Sequence, residues 1–318
     1  MAILKDARFQ LLAALLVALG LGLLSGQMNP YYRGVGIDIG IAIILAVSLN
    51  LINGHTGQFS LGHAGFMSAG AFVSAMITLA WQKSHGGAAP EWLFLPALVA
   101  GGLVAALAGL IVGVPSLRLR GDYLAIVTLG CGEIIRVILQ NTETAGGASG
   151  LKAIPKMATL GWTFGLAAVT VYVVGALVNS TYGRGFIAVH DDEVAASSMG
   201  LNPTRYKVTA FVIGAFFAGI AGGLYAHHKT FINPQGFDFM RSFEVVVMVI
   251  LGGMGRTAGV ILAAIVLTLL PEFLRDFAEY RMIIYALLII VLMIVRPQGL
   301  FTFTRPRKPI ASKPASAA

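Results

Sequence analysis

The sequence predicts an all-α polytopic membrane protein of about ten transmembrane segments, with one or more broken or re-entrant helices. Of its 318 residues, 57% are hydrophobic and only 11% are charged, whereas soluble domains carry roughly a quarter charged residues. Apolar runs recur along the whole chain, many of them long enough to approach or cross a hydrocarbon core. These runs are continuously apolar rather than alternating, which argues against a transmembrane β-barrel.

The first segment resembles a signal peptide, because Lys5 and Arg8 precede a long apolar stretch. Many further apolar segments follow, so we interpret this stretch as an uncleaved transmembrane helix and residues 1–8 as a cytoplasmic N-terminus. The predicted segments are about 9–25, 37–52, 58–80, 93–114, 123–140, 160–178, 206–226, 243–252, 258–270 and 282–296.

The eighth and ninth segments are too short for a full crossing, which takes about 20 residues. The sequence GGMGRTAG at 252–259 separates them. This pattern predicts either two short helices or one re-entrant element. Non-helical backbone at membrane depth is tolerated only where protein or a water-filled cavity surrounds it, so we expect such surroundings here.

The distribution of Lys and Arg predicts the orientation. With the N-terminus inside, the inside loops hold more of these residues than the outside loops, as cytoplasmic loops do. Both termini are therefore predicted to be cytoplasmic. The transmembrane domain would cover residues 9–301 and include a cytoplasmic loop at 183–205. Residues 302–318 are rich in Pro, Ala and basic side chains, which predicts a disordered cytoplasmic tail.

The sequence lacks the motifs of several classes of active site. No Gly-Lys dipeptide occurs, so the phosphate loop G-x-x-x-x-G-K-[ST] is absent, as are H-E-x-x-H and G-x-S-x-G. Cys131 is the one cysteine, which excludes an internal disulfide. The net charge of +8 fits basic cytoplasmic loops better than nucleic-acid binding. We expect no catalytic residue, metal or cofactor in this chain.

The stretch GRGFIAVHDDEVAASSMGLN at 183–202 concentrates charge and small residues in a mostly apolar chain. It predicts a short cytoplasmic helix over 191–200, since acidic residues at a helix start offset its dipole and cap free N–H groups. Gly200 and Pro203 would end it. Its small residues would let another protein approach closely. The residues assigned to this docking helix are Asp191, Asp192, Glu193, Ala195, Ala196, Ser197 and Gly200.

A metal site of His190 with the three neighbouring acids is the alternative for this stretch. Four adjacent side chains converge on one ion only with difficulty, and no second cluster of ligands is evident in the sequence. The docking helix is therefore the preferred interpretation.

Polar residues interrupt the apolar sequence NLINGHTGQFSLGHAGF at 50–66. One interpretation is a cytoplasmic turn whose side chains hydrogen-bond between helices. The other is a broken helix that lines a passage, where free helix ends and amide side chains meet a zwitterion. The candidate residues of a translocation path are Asn50, Asn53, Gln58, Ser60, His63 and, in a later span, Glu133.

Two further charged positions lie in apolar segments. Glu133 and Arg136 fall three residues apart on one helical face, where they form either a structural ion pair or a gate that contacts substrate. Asp38 opens the second span, where it caps that helix or pairs with a neighbouring subunit. The sequence leaves both choices open.

Several blocks of sequence resemble the LivM-type permeases of the ABC importers for branched-chain amino acids. EVAASSMG is similar to the E-A-A-x-x-x-G loop that docks on an ATPase, except that Val194 takes the place of the Glu, which stands one residue earlier. The other blocks are SLNLINGHTGQFSLGHAGFMSAGAF (48–72), LRLRGDYLAIVTLGCGEIIRVI (117–138), GLNPTRYKVTAF (200–211), LGGMG (251–255) and IVRPQGLF (294–301). Together they cover about residues 35 to 301.

This resemblance implies a permease subunit in a bacterial inner membrane. It would pair with a LivH-like permease, bind two ATPase subunits (LivG/LivF-like) that hold ATP-Mg, and receive Leu, Ile or Val from a periplasmic or lipid-anchored binding protein. LivM-like chains for urea or short-chain amides are an alternative for the substrate. A channel or carrier that works alone is an alternative for the mechanism, because no energy-coupling motif lies in the chain.

Overall fold

The structure is a computed structural model that describes residues 7–24, 26, 28–116 and 122–275, and in addition residues 283, 284, 286, 287, 290, 291 and 294. The predicted tail at 302–318, most of the tenth segment and the start of the block at 117–138 lie outside the described residues. The helices are α1 Ala7–Leu24, α2 Pro30–Asn50, α3 His63–His85, α4 Glu91–Ser116, α5 Asp122–Asn141, α6 Leu160–Asn179, α7 Thr181–Asp191, α8 Glu193–Ser198, α9 Pro203–Lys229, α10 Phe239–Gly252 and α11 Thr257–Phe273.

Six of these helical segments are long and apolar enough to cross a membrane. They run over Pro30–His55, His63–His85, Glu91–Pro115, Tyr123–Asn141, Leu160–Asn179 and Pro203–Lys229, and Thr257–Phe273 is a shorter apolar helix. The described residues contain no β-strand; one isolated antiparallel bridge joins Leu151 to Ile232. The all-helical class is as predicted.

Side-chain caps determine where several helices begin. Asn29 accepts a hydrogen bond from the N–H of Tyr31 at 3.0 Å and Pro30 follows it, so α2 starts seven residues before its predicted start at 37. Asn202 caps α9 in the same way, through the N–H of Arg205 at 3.2 Å. Asn at the cap followed by proline at the first helical position is a strong start signal.

Helix α2 forms the centre of the bundle. Every residue from 40 to 56 is buried, and α2 packs against α6, α9, α10 and α11. This is expected of a helix that is apolar on all sides. The helices α3 and α9 approach so closely that a methyl group on Gly70 would collide with the backbone of Gly219, which is the small-residue packing that membrane helices use.

A first break (residues 51–62) separates α2 from α3. A π-helical turn, Leu51–His55, continues α2, and the chain is then non-helical until His63. The predicted start of the third segment at 58 is therefore wrong. Instead of a helical hydrogen bond, the Ser60 N–H donates to the Asn53 side chain, and the Gln58 side chain donates to Thr56.

A second break (residues 253–256) separates the short helices α10 and α11. The turn before α10, Pro234–Phe237, is pressed into the bundle, because the buried Phe237 ring lies 6.2 Å from Phe72 and 5.7 Å from Tyr225. Ser242, in the first turn of α10, accepts a hydrogen bond from the N–H of Ala64 at the start of α3. Helix α10 therefore begins inside the bundle, with protein around its non-helical flanks, and of the two predicted alternatives the described residues form two short helices.

The loops sort to two ends of the bundle. At the end that holds α8, hereafter the α8 end, the Gln58 side chain donates to the Lys207 carbonyl at 3.3 Å. At the other end, hereafter the Asp38 end, the Lys229 ammonium donates to Asp38 at 2.9 Å. This sorting agrees with the alternating directions of the predicted segments.

Candidate functional site

The docking helix is shorter than predicted and covers Glu193–Ser198. Asp192 is its cap, because Oδ1 accepts hydrogen bonds from the N–H groups of Val194 and Ala195, both at 2.9 Å. Gly200 has a φ of +84°, which favours glycine, and its N–H donates to the Ser197 carbonyl at 3.0 Å. Asp192 at the start and Gly200 at the end therefore act as the sequence predicts.

Asp191 has a different place from the one predicted. It is the last residue of α7, Thr181–Asp191, a helix that the sequence analysis left as loop. Helix α7 forms because Ser180 caps it, accepting from the N–H of Gly183 at 3.1 Å, and because one face buries Phe186 and Val189. Two helices thus meet at Asp192.

The exposed surface of α8 also differs in part from the prediction. Ala196 is only 5% exposed and packs inward, so it cannot contact a partner. Met199 is 84% exposed and Val194 is 65% exposed, and the predicted Ala195, Ser197 and Gly200 are exposed beside them. The exposed residues Val194, Ala195, Ser197, Met199 and Gly200 form an apolar and small-residue patch, called the docking surface below after its predicted role.

Two contacts tie α8 and α7 to the body of the bundle. Glu193 forms an ion pair of 2.8 Å with Lys207 at the start of α9. The His190 ring lies against Gly57 in the first break, where an added methyl group would meet the ring at 3.2 Å. The end of α7, directly before α8, therefore lies against the first break.

The predicted path residues of the first break are buried and cross-link the protein. Asn53 accepts from the N–H of Ser60 at 3.2 Å, and His63 pairs with Ser48 at 2.9 Å. Gln58 donates to Thr56 at 2.8 Å. Of these bonds, the one between His63 and Ser48 joins two helices and the other two lie within the break, so both interpretations of this stretch stay predictions.

Some polar atoms at the first break have no partner within the described part of the chain. They are Asn50 Nδ2, His55 Nε2, Gln58 Oε1, Ser60 Oγ and His63 Nδ1, all on buried side chains. A buried polar atom without a hydrogen bond costs about 1–3 kcal/mol. The protein's own groups therefore satisfy the polar side chains of this break only in part.

The predicted pair of Glu133 and Arg136 is formed. Arg136 Nε donates to Glu133 Oε2 at 2.6 Å, with the two side chains 24% and 32% exposed, respectively. Glu133 also borders a small cleft between the first turns of α3 and α10, beside Ala64 and Ser242. The ion pair and the cleft both lie halfway along α5, where a charge is tolerated only if it is paired or faces a cavity.

Asp38 lies within α2, eight residues after Pro30, and forms an ion pair. Its carboxylate binds Lys229 at 2.9 Å and lies 3.8 Å from the His228 ring. The structure excludes the cap, because Asp38 lies inside α2, and shows that its partner within this chain is on α9. Pairing with a neighbouring subunit stays a prediction.

Comparison with known proteins identifies the family. The family described as "Branched-chain amino acid transport system / permease component" matches residues 33–295. The chain belongs to this family. It is 40% identical over 307 residues to the high-affinity branched-chain amino acid transport system permease protein LivM of Salmonella typhimurium, covering 86% of this chain and 70% of that protein. No solved structure matches the chain.

Further relatives lie within the same family. LivM of Escherichia coli is 40% identical over 302 residues, covering 84% of this chain and 69% of that protein. LivH of Escherichia coli, the permease protein of the other type, is 25% identical over 295 residues, covering 86% of this chain and 94% of that protein. The LivM-type chain is thus more similar to LivM than to LivH, as its sequence motifs indicate.

Sequence reasoning missed two residues of this permease whose hydroxyl groups bind the backbone beside the first break. Thr128 accepts from the N–H of Leu61 at 3.1 Å, and Ser242 accepts from Ala64. Single hydroxyl groups in apolar helices carry no pattern, so only their position in space reveals this role. Among the residues that the structure describes, no three His, Cys, Asp or Glu side chains are grouped closely enough to hold a metal ion.

Proposed function

We propose that this permease forms, together with a second permease, the path by which Leu, Ile and Val enter the cytoplasm. The observation that carries this proposal is the 40% identity with LivM over 86% of the chain. The six helical segments long enough to cross a membrane suit a path through a bilayer, and no enzymatic activity of the chain is proposed.

The partners are proposed from the LivM resemblance and from the docking surface. A LivH-like permease completes the path, and a periplasmic or lipid-anchored binding protein delivers the amino acid. Two ATPase subunits (LivG/LivF-like) hold ATP-Mg and bind the docking surface, where the exposed Met199 and Val194 match the need for an apolar contact. Movement of the ATPases then reaches the first break through His190 and Gly57.

The arrangement in the membrane is proposed from charge and from the sorting of the loops. The α8 end faces the cytoplasm of a bacterial inner membrane, and both termini lie on that side, as the excess of Lys and Arg predicts. About ten segments then cross or enter the bilayer. They include α1, the re-entrant pair α10 and α11, and a last segment near residues 283–294.

A pull-down from mild detergent tests the partners. The chain, tagged at its C-terminus, should bring down a second permease and two ATPase subunits. Gly200→Asp adds bulk and charge to the docking surface and should lose the ATPases while the second permease stays bound. Recovery of all partners with this variant would show that the docking surface is elsewhere.

Uptake by cells that lack this chain and then regain it tests the substrate. ATP-dependent leucine uptake should disappear and return with the chain. Loss of urea or short-chain amide uptake, with leucine uptake unchanged, would contradict the substrate and keep the family. Uptake by the purified chain alone in liposomes would contradict the need for ATPases.

A further inference from the structure

A partly open cavity of about 840 Å³ lies at the Asp38 end of the bundle, between α2, α9, α10 and α11. Cavities of roughly 300–1,000 Å³ are the usual size for small-molecule sites. Much of its wall is aliphatic and comes from three helices, through Ala42, Leu45, Val247, Met248 and Leu267. The wall suits a branched aliphatic side chain better than a polar one.

Charges of both signs line the same cavity. Asp38 pairs with Lys229 at 2.9 Å, and Arg241 pairs with Glu244 at 3.1 Å. Both cations lie near the Tyr225 ring, the Lys229 ammonium 5.9 Å and the Arg241 guanidinium 5.4 Å from its centre. All five residues border the cavity, as does Glu272, so two positive and three negative groups line it beside one aromatic ring.

The two ion pairs do not bury these charged groups. The four side chains remain 34–46% exposed, so each keeps hydrogen-bonding capacity toward the cavity. Charged groups at membrane depth are costly and face a cavity or a partner when they occur. Two ion pairs beside an aliphatic wall match a ligand that has one positive group, one negative group and an apolar side chain.

We propose that this cavity binds the zwitterion of a branched aliphatic amino acid on its way into the path. The carboxylate binds Lys229 and Arg241, the ammonium group binds Asp38 and Glu244, and the side chain packs on the aliphatic wall. The ligand exchanges partners with the two existing ion pairs, so no net charge is added to the site. This assignment rests on the proposed function and names a site for its substrate.

The position of the cavity fits this role. It lies at the end opposite to the docking surface, which under the proposed orientation is the side from which a binding protein delivers. Asp38 and Asn50 are separated by twelve residues of α2, or about 18 Å along the helix. The first break, against which α7 packs through His190, therefore lies about that far along α2 from the cavity.

Cysteine labelling tests whether the amino acid occupies the cavity. Thr268 borders the cavity and is half-buried. Cys131 is first replaced by Ser, and Thr268→Cys is then introduced into the full transporter in liposomes. Lys152→Cys, at an exposed position of the same end outside the cavity, is the matched control. A membrane-impermeant maleimide is the probe.

Leucine at ten times its Kd should slow labelling of the Thr268→Cys variant about tenfold. Leucinamide, which has no carboxylate, and 4-methylpentanoate, which has no ammonium group, should give no protection, and the Lys152→Cys control should label equally in every condition. No labelling of the Thr268→Cys variant at any leucine concentration, or labelling that leucine leaves unchanged, would overturn the assignment.

Charge variants separate substrate binding from the docking of a binding protein. Lys229→Gln and Arg241→Gln should each raise the KM for leucine about tenfold, which is the effect of losing about 1.4 kcal/mol of binding. Lys152→Gln should change it less than twofold. If the charges dock the binding protein instead, these variants will raise the concentration of binding protein needed for half-maximal ATPase stimulation and leave leucine protection intact, which overturns the proposal.

The same experiment separates this proposal from the proposed function. Normal ATP-dependent leucine uptake without protection of the cavity cysteine would reject the site and keep the function. A wild-type transporter that takes up urea or an amide but no leucine would reject the function itself.

Discussion

The Asn50 side chain joins the two breaks of the bundle, because its Oδ1 accepts a hydrogen bond of 2.9 Å from the backbone N–H of Gly255. The glycine at position 54 completes this contact, since an added methyl group would collide with both Asn50 and Gly255. The first and second breaks are therefore in direct contact, and both lie at the α8 end.

Asn50→Ala should destabilise the permease by about 1–2 kcal/mol, because it removes the acceptor for a partly buried N–H group. Asn50→Asp keeps an acceptor oxygen at the same place and, at a pH low enough to keep this fully buried acid protonated so that no charge is buried, should lose less. Thermal unfolding in detergent measures both. Asn141→Ala, which removes an exposed amide at the end of α5, is the control and should have little effect. Equal losses for Asn50→Ala and Asn50→Asp would contradict this role of the acceptor.

Gly57→Ala should uncouple the transporter. Gly57 has a φ of +67° and its Cα faces the His190 ring, whereas Gly86 has a φ of +66° and open space around it. Alanine at either position should cost about 1–2 kcal/mol of backbone strain. Only Gly57→Ala also pushes on His190, so only this variant should lose leucine uptake while ATP hydrolysis continues in the assembled transporter. Equal uptake by the two variants would show that the contact transmits nothing.

Met199→Asp should release the ATPases without unfolding the permease. Met199 is 84% exposed, and exposed substitutions usually change stability by less than about 0.5 kcal/mol. A charge in an apolar contact should reduce the recovered ATPase at least about tenfold. Ala88→Asp, in an exposed loop of the Asp38 end, is the control. Retention of the ATPases by Met199→Asp would place their contact elsewhere.

Ala196→Arg should behave differently from Met199→Asp. Ala196 is 5% exposed, so an arginine there must displace the packing of α8 or bury a charge, at a cost of several kcal/mol. We expect less folded protein in the membrane, measured by size-exclusion chromatography in detergent, as well as loss of uptake. Normal folding with selective loss of the ATPases would mean that Ala196 faces the partner after all.

Glu133→Gln distinguishes the two interpretations of the pair with Arg136. If the pair is structural, the single variant leaves a half-buried guanidinium unpaired and lowers stability by about 1–3 kcal/mol, and adding Arg136→Gln should recover both stability and leucine uptake. We expect this recovery. Unfolding and uptake of the single and double variants provide the measurement. A double variant that is stable but still inactive would identify Glu133 as a contact of the substrate.

Much of the fold was predictable because the signals are local. The span that became α6 was predicted to end at 178 and ends at Asn179, since the length of an apolar run is read directly from sequence. The cap Asp192 and the terminator Gly200 were predictable for the same reason: each acts on groups within a few residues. Helix α7 was missed because its apolar face is short and Gly183 and Gly185 weaken the helical pattern.

The site was predictable only as a set of residues. Sequence drew attention to Asn50, Gln58 and His63 because polar side chains stand out in an apolar run. Sequence does not show their hydrogen-bond partners, because these partners are distant along the chain: Lys207 lies 149 residues from Gln58. The same holds for Ser242, which lies 178 residues from its donor Ala64. The exposed Met199 was also overlooked, because a single methionine in a short helix does not indicate which way it points.

The sequence by itself determined that this protein is a helical membrane permease of the branched-chain amino acid family, since hydrophobic runs and motif spacing are properties of neighbouring residues. Only the tertiary structure decided that Asn50 pairs with Gly255, that His190 lies on Gly57 and that Asp38, Lys229, Arg241 and Glu244 surround one cavity. The physical reason is that hydrogen bonds, ion pairs and cavities depend on distance in space, which distance along the chain does not specify.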